Sequence, residues 1–323
     1  MVISHYAPVV IPTLNRYEHF KRCLESLERC TGAEYTDVYV GLDYPPSDKY
    51  VEGWKKIDEY LKWKETHSGF KKLYVRRRNH NCGVGVPGSN AGLLCREMET
   101  ITDRYIFTED DNEFSPCFLD FMNKALEKFK DDGRVIFVCG YTPFDYAEKE
   151  SIYFAHQMFA WGYGSWTVKS AELRDIINLD SLAKTLTDFK ASMTIYRYRP
   201  VLLSRLMDEV IKRVFYGDVS YTCYCELYAK YCVFPSTFLV RNVGFDGSGV
   251  HSKQSDISLD ERILKQDVAF ELDEVVVSEH KEVRRMLKKV GSKHWYGSVA
   301  ILLRYLVWRI SRVDIFAFRK KFR

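Results

Sequence analysis

Between residues 6 and 142, short apolar runs alternate with amphipathic stretches, and this alternation restricts the fold more than any other feature. "YAPVVIP" (6–12), "DVYVGLD" (37–43), "KLYVRRR" (72–78), "RYIFTEDD" (104–111) and "RVIFVCGYT" (134–142) read as strands. They are rich in the β-branched and aromatic residues that suit a pleated, half-buried surface. Helices fall between them. Phe20, Leu24 and Leu27 mark the buried face of the first, with Asn15 placed as its cap and Glu18 in the capping-box position. Residues 50–66 and "SNAGLLCREMETI" read as the next two, and Ser115 and Pro116 as the start of a fourth. Strands joined by helical crossovers run parallel, so an α/β fold with a doubly wound, mainly parallel sheet is expected.

In such a sheet, ligands bind at the carboxyl ends of the strands. Thr13, Asp43 and the consecutive acids Glu109, Asp110 and Asp111 all fall there. Adjacent carboxylates repel one another, so they need a positive partner. A hard divalent cation such as Mg²⁺ or Mn²⁺ takes oxygen ligands and is commonly shared with substrate phosphates. The alternative is a solvated acidic turn favoured by the dipole of the next helix. "GVGVPG" (83–88) has the letters of a dinucleotide fingerprint, but it follows the third strand and contains Pro87. That fingerprint belongs after the first strand, so the glycines are read as turn chemistry or a close backbone approach. "WGYGSW" (161–166) is either a glycine hinge between core aromatics or a platform for a sugar ring.

Past residue 150 the rhythm breaks. "FAHQMFAWGYGSW" (154–166) reads as an aromatic, glycine-rich segment, and helices are expected near 170–178, 181–192 and 200–215. "VSYTCYCELYAKY" reads as another helix leading to a strand, "FLVRN". With 46% hydrophobic residues the chain can bury a sizeable core. Charge is unevenly spread. Lys281–Arg323 holds 13 Lys or Arg against two acids, a net of +11, so the other 280 residues carry −7 of the overall +4. A basic tail on an acidic body suggests an anionic partner. The nine cysteines are scattered, with no Cys-x-x-Cys pair, as expected of reduced thiols in a reducing compartment. The start, "MVISHYAPVVIP", does not read as a signal peptide, and the apolar run "VAILL" is far short of the ~20 residues of a membrane span.

Taken in order, these segments resemble glycosyltransferases of the GT-A fold. The likeness is to the bacterial glycan-building family 2 type and also to the N-acetylglucosaminyltransferase I group. "VVIPTLNR" resembles the first strand and turn that meet the nucleotide. "VGLD" resembles the second strand, with its base-contacting Asp. "TEDDNEFSPCFLDF" is similar to the acidic metal motif and its helix, "FAWGYGSW" to the aromatic segment, and "NVGFDGSGVHS" (242–252) to the late "N-I-G-F…T-H" segment. The resemblance spans roughly residues 6–252. It implies that Pro12, Thr13, Arg16, Asp43, Asn90, Glu109, Asp110, Trp161 and Gly162 bind the nucleotide-sugar. It implies Asp111 and His251 as ligands of Mn²⁺ or Mg²⁺. It places a catalytic acid 24 residues before Asn242, where Asp218 stands, although the family's flanking tryptophans are replaced by Tyr216–Gly217 and Tyr221.

The expected organisation is a catalytic domain over 1–255, with a nucleotide half (1–112) and an acceptor half (113–255), followed by a helical, basic appendage over 256–323. The implied activity is metal-dependent, inverting transfer of a sugar from a nucleotide-sugar, a UDP-sugar being favoured, to a hydroxyl of a glycan or lipid-linked glycan. No nucleic acid is expected as a partner. Val299, Leu302, Leu303, Leu306, Ile310 and Val313 follow helical spacing among arginines and aromatics, the pattern of a helix lying on an anionic membrane. That suggests a cytoplasmic enzyme peripheral to the membrane. Two other classes share some of these features. A sugar nucleotidyltransferase would need a glycine-rich basic loop where "PTLNR" stands. A non-catalytic glycan- or nucleotide-binding module would have no need of Asp111, Asp218 and His251 together.

Overall fold

The computed structural model describes residues 3–86, 88–146, 150–246, 263–273, 275–290, 295–312 and 314. The apolar runs become β1 (Val9–Thr13), β2 (Asp37–Leu42), β3 (Lys72–Arg77), β4 (Arg104–Phe107) and β6 (Val135–Cys139). The connecting helices are α1 (Tyr17–Glu28), α2 (Asp48–Lys64), α3 (Asn90–Ile101) and α4 (Phe118–Lys128). Later come β7 (Ile152–Ala155), β8 (Tyr163–Trp166), α5 (Thr167–Ile176), α6 (Leu179–Thr187), α7 (Phe189–Tyr198), α8 (Pro200–Lys212), α9 (Gly217–Leu227) and β9 (Tyr231–Pro235). An eight-stranded sheet has the order β3-β2-β1-β4-β8-β6-β9-β7. Strands β3, β2, β1, β4, β6 and β9 run one way, and β8 and β7 run against them. This is the doubly wound, mainly parallel α/β sheet expected from the alternation.

The chain departs from the expected elements where local signals competed with tertiary contacts. The fourth strand stops at Phe107 rather than running through the acids, because the next residues leave the sheet. They form β5 (Asn112–Phe114), which pairs antiparallel with β10 (Val240–Asn242) in a separate two-stranded ribbon. Arg16 rather than Asn15 is the cap residue of α1, with no side-chain cap bond. Helix α4 begins at Phe118. Ser115 instead donates to the Lys265 carbonyl at 2.5 Å and accepts the Cys117 N–H at 3.1 Å. The helix expected over 181–192 is two helices, since Asp188 caps a new one through the Ala191 N–H at 3.0 Å. The aromatic segment holds β7 and β8, which alternation within 154–166 did not reveal.

Core packing follows the layers. Val9, Ile11, Val38, Val40 and Ile106 of the parallel strands meet Phe20, Leu24 and Leu27 of α1 and Phe118, Met122 and Leu126 of α4. Phe270, Leu272 and Val277 join the same cluster, so part of the segment after 256 lies on the body. A second cluster joins the other end of the sheet to α6–α9 and to α10 (Lys281–Lys289) and α11 (Trp295–Ser311). Tyr305 and Trp308 of α11 are buried there. Arg304 is buried with them, paired at 2.7 Å to both Asp208 and Asp314. The outward side of α11 leaves Val299, Leu303, Val307 and Ile310 exposed. No described helix is long and apolar enough to cross a membrane. The final basic residues lie outside the described part.

Candidate functional site

The parallel strands bring Thr13 and Asp43 to one sheet edge, and the chain leaving β4 delivers the acids to the same edge. Each carboxylate oxygen of the pair has a donor. Thr13 Oγ1 donates to Asp110 Oδ2 at 2.8 Å, and Arg16 Nη2 donates to Asp110 Oδ1. Arg16 Nη1 lies 2.8 Å from Asp111 Oδ2, and Asn242 Nδ2 donates to Asp111 Oδ1 at 2.7 Å. The positive partner that the sequence demanded is therefore supplied from within the chain. Burial alone would weaken the Arg16 charge, but Asp110 and Asp111 outweigh it and hold the guanidinium protonated. Burial in turn pushes the Asp110 carboxyl up, against Arg16 and Thr13, which hold it down.

The β5–β10 ribbon explains why "NEF" and "VRN" must meet. Asn112 and Asn242 are register partners, and Asn242 Nδ2 also reaches Asn112 Oδ1 at 3.0 Å. The Val243 N–H donates to the Asp111 carbonyl at 2.8 Å. Gly244 then passes so close that a Cβ there would stand 2.1 Å from Asp111 Oδ2. Asn242 is thus a site residue that sequence reading used only as a landmark. Its only signal was its place in the "NVGF" segment.

Glu109 is the first of the three acids. Burial, then Asp111, Asp110 and Asp218, push its carboxyl up to about 8, so it is largely neutral near pH 7. Asp218, on α9, is among the charges that act on Glu109. Asp218 stands in the first turn of α9, whose cap residue is Tyr216, so Asp218 is not the helix cap. Burial raises its carboxyl, although the side chain is 37% exposed, while Arg205, 3.8 Å away, the N–H groups of Val219 and of Asp218 itself, and Arg199 draw it down.

The other expected ligand-binding residues have structural partners. Asp43 accepts the N–H groups of Tyr44 and Cys82 at 2.9 Å, which ties the end of β2 to the turn after β3. Asn90 Nδ2 donates to the Gly41 carbonyl at 2.6 Å, and its Oδ1 accepts from Arg78 Nε at 3.0 Å. Pro12 pairs with Gly41 inside the sheet. Trp161 packs edge-on against Tyr141 and against Phe245, one residue past Gly244. Gly162 has φ +67°, and its carbonyl accepts the Gly140 N–H at 2.6 Å. In the glycine loop, Gly83 and Gly85 also have positive φ. A Cβ on Gly85 would lie 3.3 Å from the Phe215 carbonyl, so this loop reaches the entry to α9. His251 lies outside the described residues.

Two adjacent aspartates offer the hard oxygen donors that Mg²⁺ or Mn²⁺ prefers. Among the described residues no group of three His, Cys, Asp or Glu is arranged to hold a metal ion. Arg16 already holds the Asp111 oxygen that a cation would take, so a cation shares Asp111 only as Arg16, 20% exposed, gives way. The donor chemistry fits on that condition.

No protein-family model matches the chain, and no curated protein does. Similar solved structures include the mannosyltransferase PcManGT from Pyrobaculum calidifontis in complex with GDP-Man and Mn²⁺. It is 16% identical at a TM-score of 0.37, covering 53% of this chain and 46% of that one. Two structures of S. aureus TarS show 15% and 14% identity at TM-scores of 0.36 and 0.34. Each covers 53% of this chain, with 48% and 29% of their own chains covered. The chain thus spans half or less of the length of each. Likeness at this level adds nothing to the strand order, on which the α/β fold class rests.

Proposed function

We propose that the chain is a GT-A-type glycosyltransferase that moves a sugar from a nucleotide-sugar to a hydroxyl of a glycan or lipid-linked glycan. One observation carries the proposal: the Asp110–Asp111 pair at the carboxyl edge of the sheet is held by Thr13 and Arg16 from the first motif and by Asn242 from the last. The ordered motif set, "VVIPTLNR" to "NVGF", supports it.

In this reading Thr13, Arg16 and Asp110 face the donor's nucleotide and diphosphate, and Asp43 lies at the base end. Asp111 would hold a divalent cation, with His251 as its second protein ligand, and the cation would supply Lewis-acid neutralisation of the leaving diphosphate. The Arg16 guanidinium, once released, reaches the same phosphates with its fork of donors. The acceptor hydroxyl attacks the anomeric carbon as its bond to the diphosphate oxygen breaks. The hydroxyl proton passes to the Asp218 carboxylate. A single base opposite the leaving group implies inversion. A general base contributes roughly 10²–10⁴-fold.

Asp218→Asn tests the reading. It keeps the shape but cannot take the proton, so nucleoside-diphosphate binding should survive while transfer falls by roughly 10²-fold or more. Near-normal turnover would remove the base assignment. The basic end of the chain and the exposed row on α11 suggest that the enzyme works at an anionic membrane surface.

A further inference from the structure

One fully buried carboxyl has no part in this mechanism. Glu209 lies on the inner face of α8 and is 0% exposed. Its carboxyl reaches across the short connection to α9 rather than along its own helix. Oε1 accepts the N–H of Tyr216, the cap residue of α9. Both of its oxygens lie 3.0 Å from the Ser220 hydroxyl. The Val214 N–H also returns to the Glu209 carbonyl at 3.1 Å, and Arg213 turns the chain in the left-handed region at φ +55°. The connection is therefore wrapped around this one residue. The cap residue Tyr216 makes no side-chain cap bond to α9, and Asp218 sits in sequence between the two groups that Glu209 holds.

We propose that Glu209 is a positioning residue for Asp218: it clamps Tyr216 and Ser220 so that the intervening carboxylate keeps its direction toward the reacting hydroxyl. The inference rests on Asp218 being the base. Burial first, then the nearby Asp218 charge, push the Glu209 carboxyl up to about 8, against the Tyr216 and Ser220 hydrogen bonds. The Tyr216 N–H and the Ser220 hydroxyl both donate to this carboxyl, and both reach Oε1. A glutamine reproduces both bonds, and an alanine reproduces neither. The charged or titratable groups facing Glu209 are Asp218 and Cys223 of α9. Those facing Asp218 are Arg205 of α8, Arg199, Glu109 and Cys223.

The test uses the full chain and reads nucleoside-diphosphate release from UDP-glucose, UDP-N-acetylglucosamine and GDP-mannose, scored on the donor that the wild type turns over. Glu209→Ala should lower kcat by about tenfold or more, within the ~10²-fold that misplacement by an ångström costs. Its affinity for UDP or GDP should stay within about twofold of wild type. Glu209→Gln should restore kcat to within about threefold. In Glu209→Ala the acid limb of the pH profile should also move to lower pH, because a loosened α9 first turn further exposes a side chain that is already 37% exposed and lessens the burial that raises its pKa. In Glu209→Gln the limb should stay in place.

Should Glu209→Ala fail to fold, Ser220→Ala removes one arm of the clamp and should lower kcat by about threefold with diphosphate affinity unchanged. A folded Glu209→Ala of wild-type kcat overturns the inference, as does a Ser220→Ala of wild-type kcat if Glu209→Ala does not fold. Asp218→Asn in the same assay separates the two levels. If it is inactive while the Glu209 variants are normal, the positioning role fails and the base stands. If it is normal, or if no donor is turned over, the underlying reading fails and takes the inference with it.

Discussion

Removing Arg16 should expose how the acidic edge is held together. Its guanidinium bridges Asp110 and Asp111, and the side chains involved are 20%, 9% and 10% exposed. Breaking a buried pair by removing one partner costs about 3–5 kcal/mol, because a buried charge is left uncompensated. Thr13 and Asn242 still donate to the acids, and Arg16 stands at the rim, so the lower end applies. Arg16→Gln should lose about 3 kcal/mol at pH 7, a large part of the ~5–15 kcal/mol that holds a typical protein folded. Urea unfolding followed by circular dichroism measures it. Arg16→Lys, which keeps the charge but not the fork, should lose about half as much. Adding Asp111→Asn to Arg16→Gln should recover at least ~1 kcal/mol, since neighbours in one network are not additive. Millimolar Mn²⁺ should stabilise Arg16→Gln more than wild type, because the cation no longer competes with a resident guanidinium. An Arg16→Gln chain within ~0.5 kcal/mol of wild type, or equal Mn²⁺ shifts in the two, would refute the reasoning.

Gly244→Ala drives a Cβ to 2.1 Å from Asp111 Oδ2 and 3.1 Å from Arg16 Nη1. It should cost about 1–3 kcal/mol as overpacking and weaken UDP or GDP binding in calorimetry, whereas an unchanged affinity would detach Gly244 from the site. Because burial raises the Asp218 carboxyl, and the base must be ionised to act, turnover should rise with pH through a midpoint above the usual carboxylate value of about 3.9. A pH–rate profile checks this, and a midpoint at or below that value counts against Asp218 as the base. Leu303→Glu with Ile310→Glu puts charge on the exposed row of α11 without touching Tyr305 or Trp308. The double variant should fold normally yet lose flotation with anionic liposomes at low salt. Wild-type chain that ignores such liposomes would dismiss the membrane surface.

The sequence by itself determined the sheet. Short apolar runs separated by helices leave parallel pairing as the way to bury both faces, and the spacing of Phe20, Leu24 and Leu27 fixed which side of α1 faces inward. It also delivered Thr13, Asp43 and the acids to one edge, since the carboxyl ends of parallel strands coincide. What covers the acids was decided by tertiary structure. Arg16 and Asn242 reach Asp111 from far before and far after it in the sequence, and no periodicity links residues so far apart. The same holds for β5 and β10, whose three-residue strands are too short to announce themselves and exist because they pair with each other. Glu209 falls within the helix expected near 200–215, and nothing in the sequence singles it out. Only the fold buries it and turns it onto the next helix, because its partners are a backbone N–H and a hydroxyl that come within reach once α8 and α9 have packed.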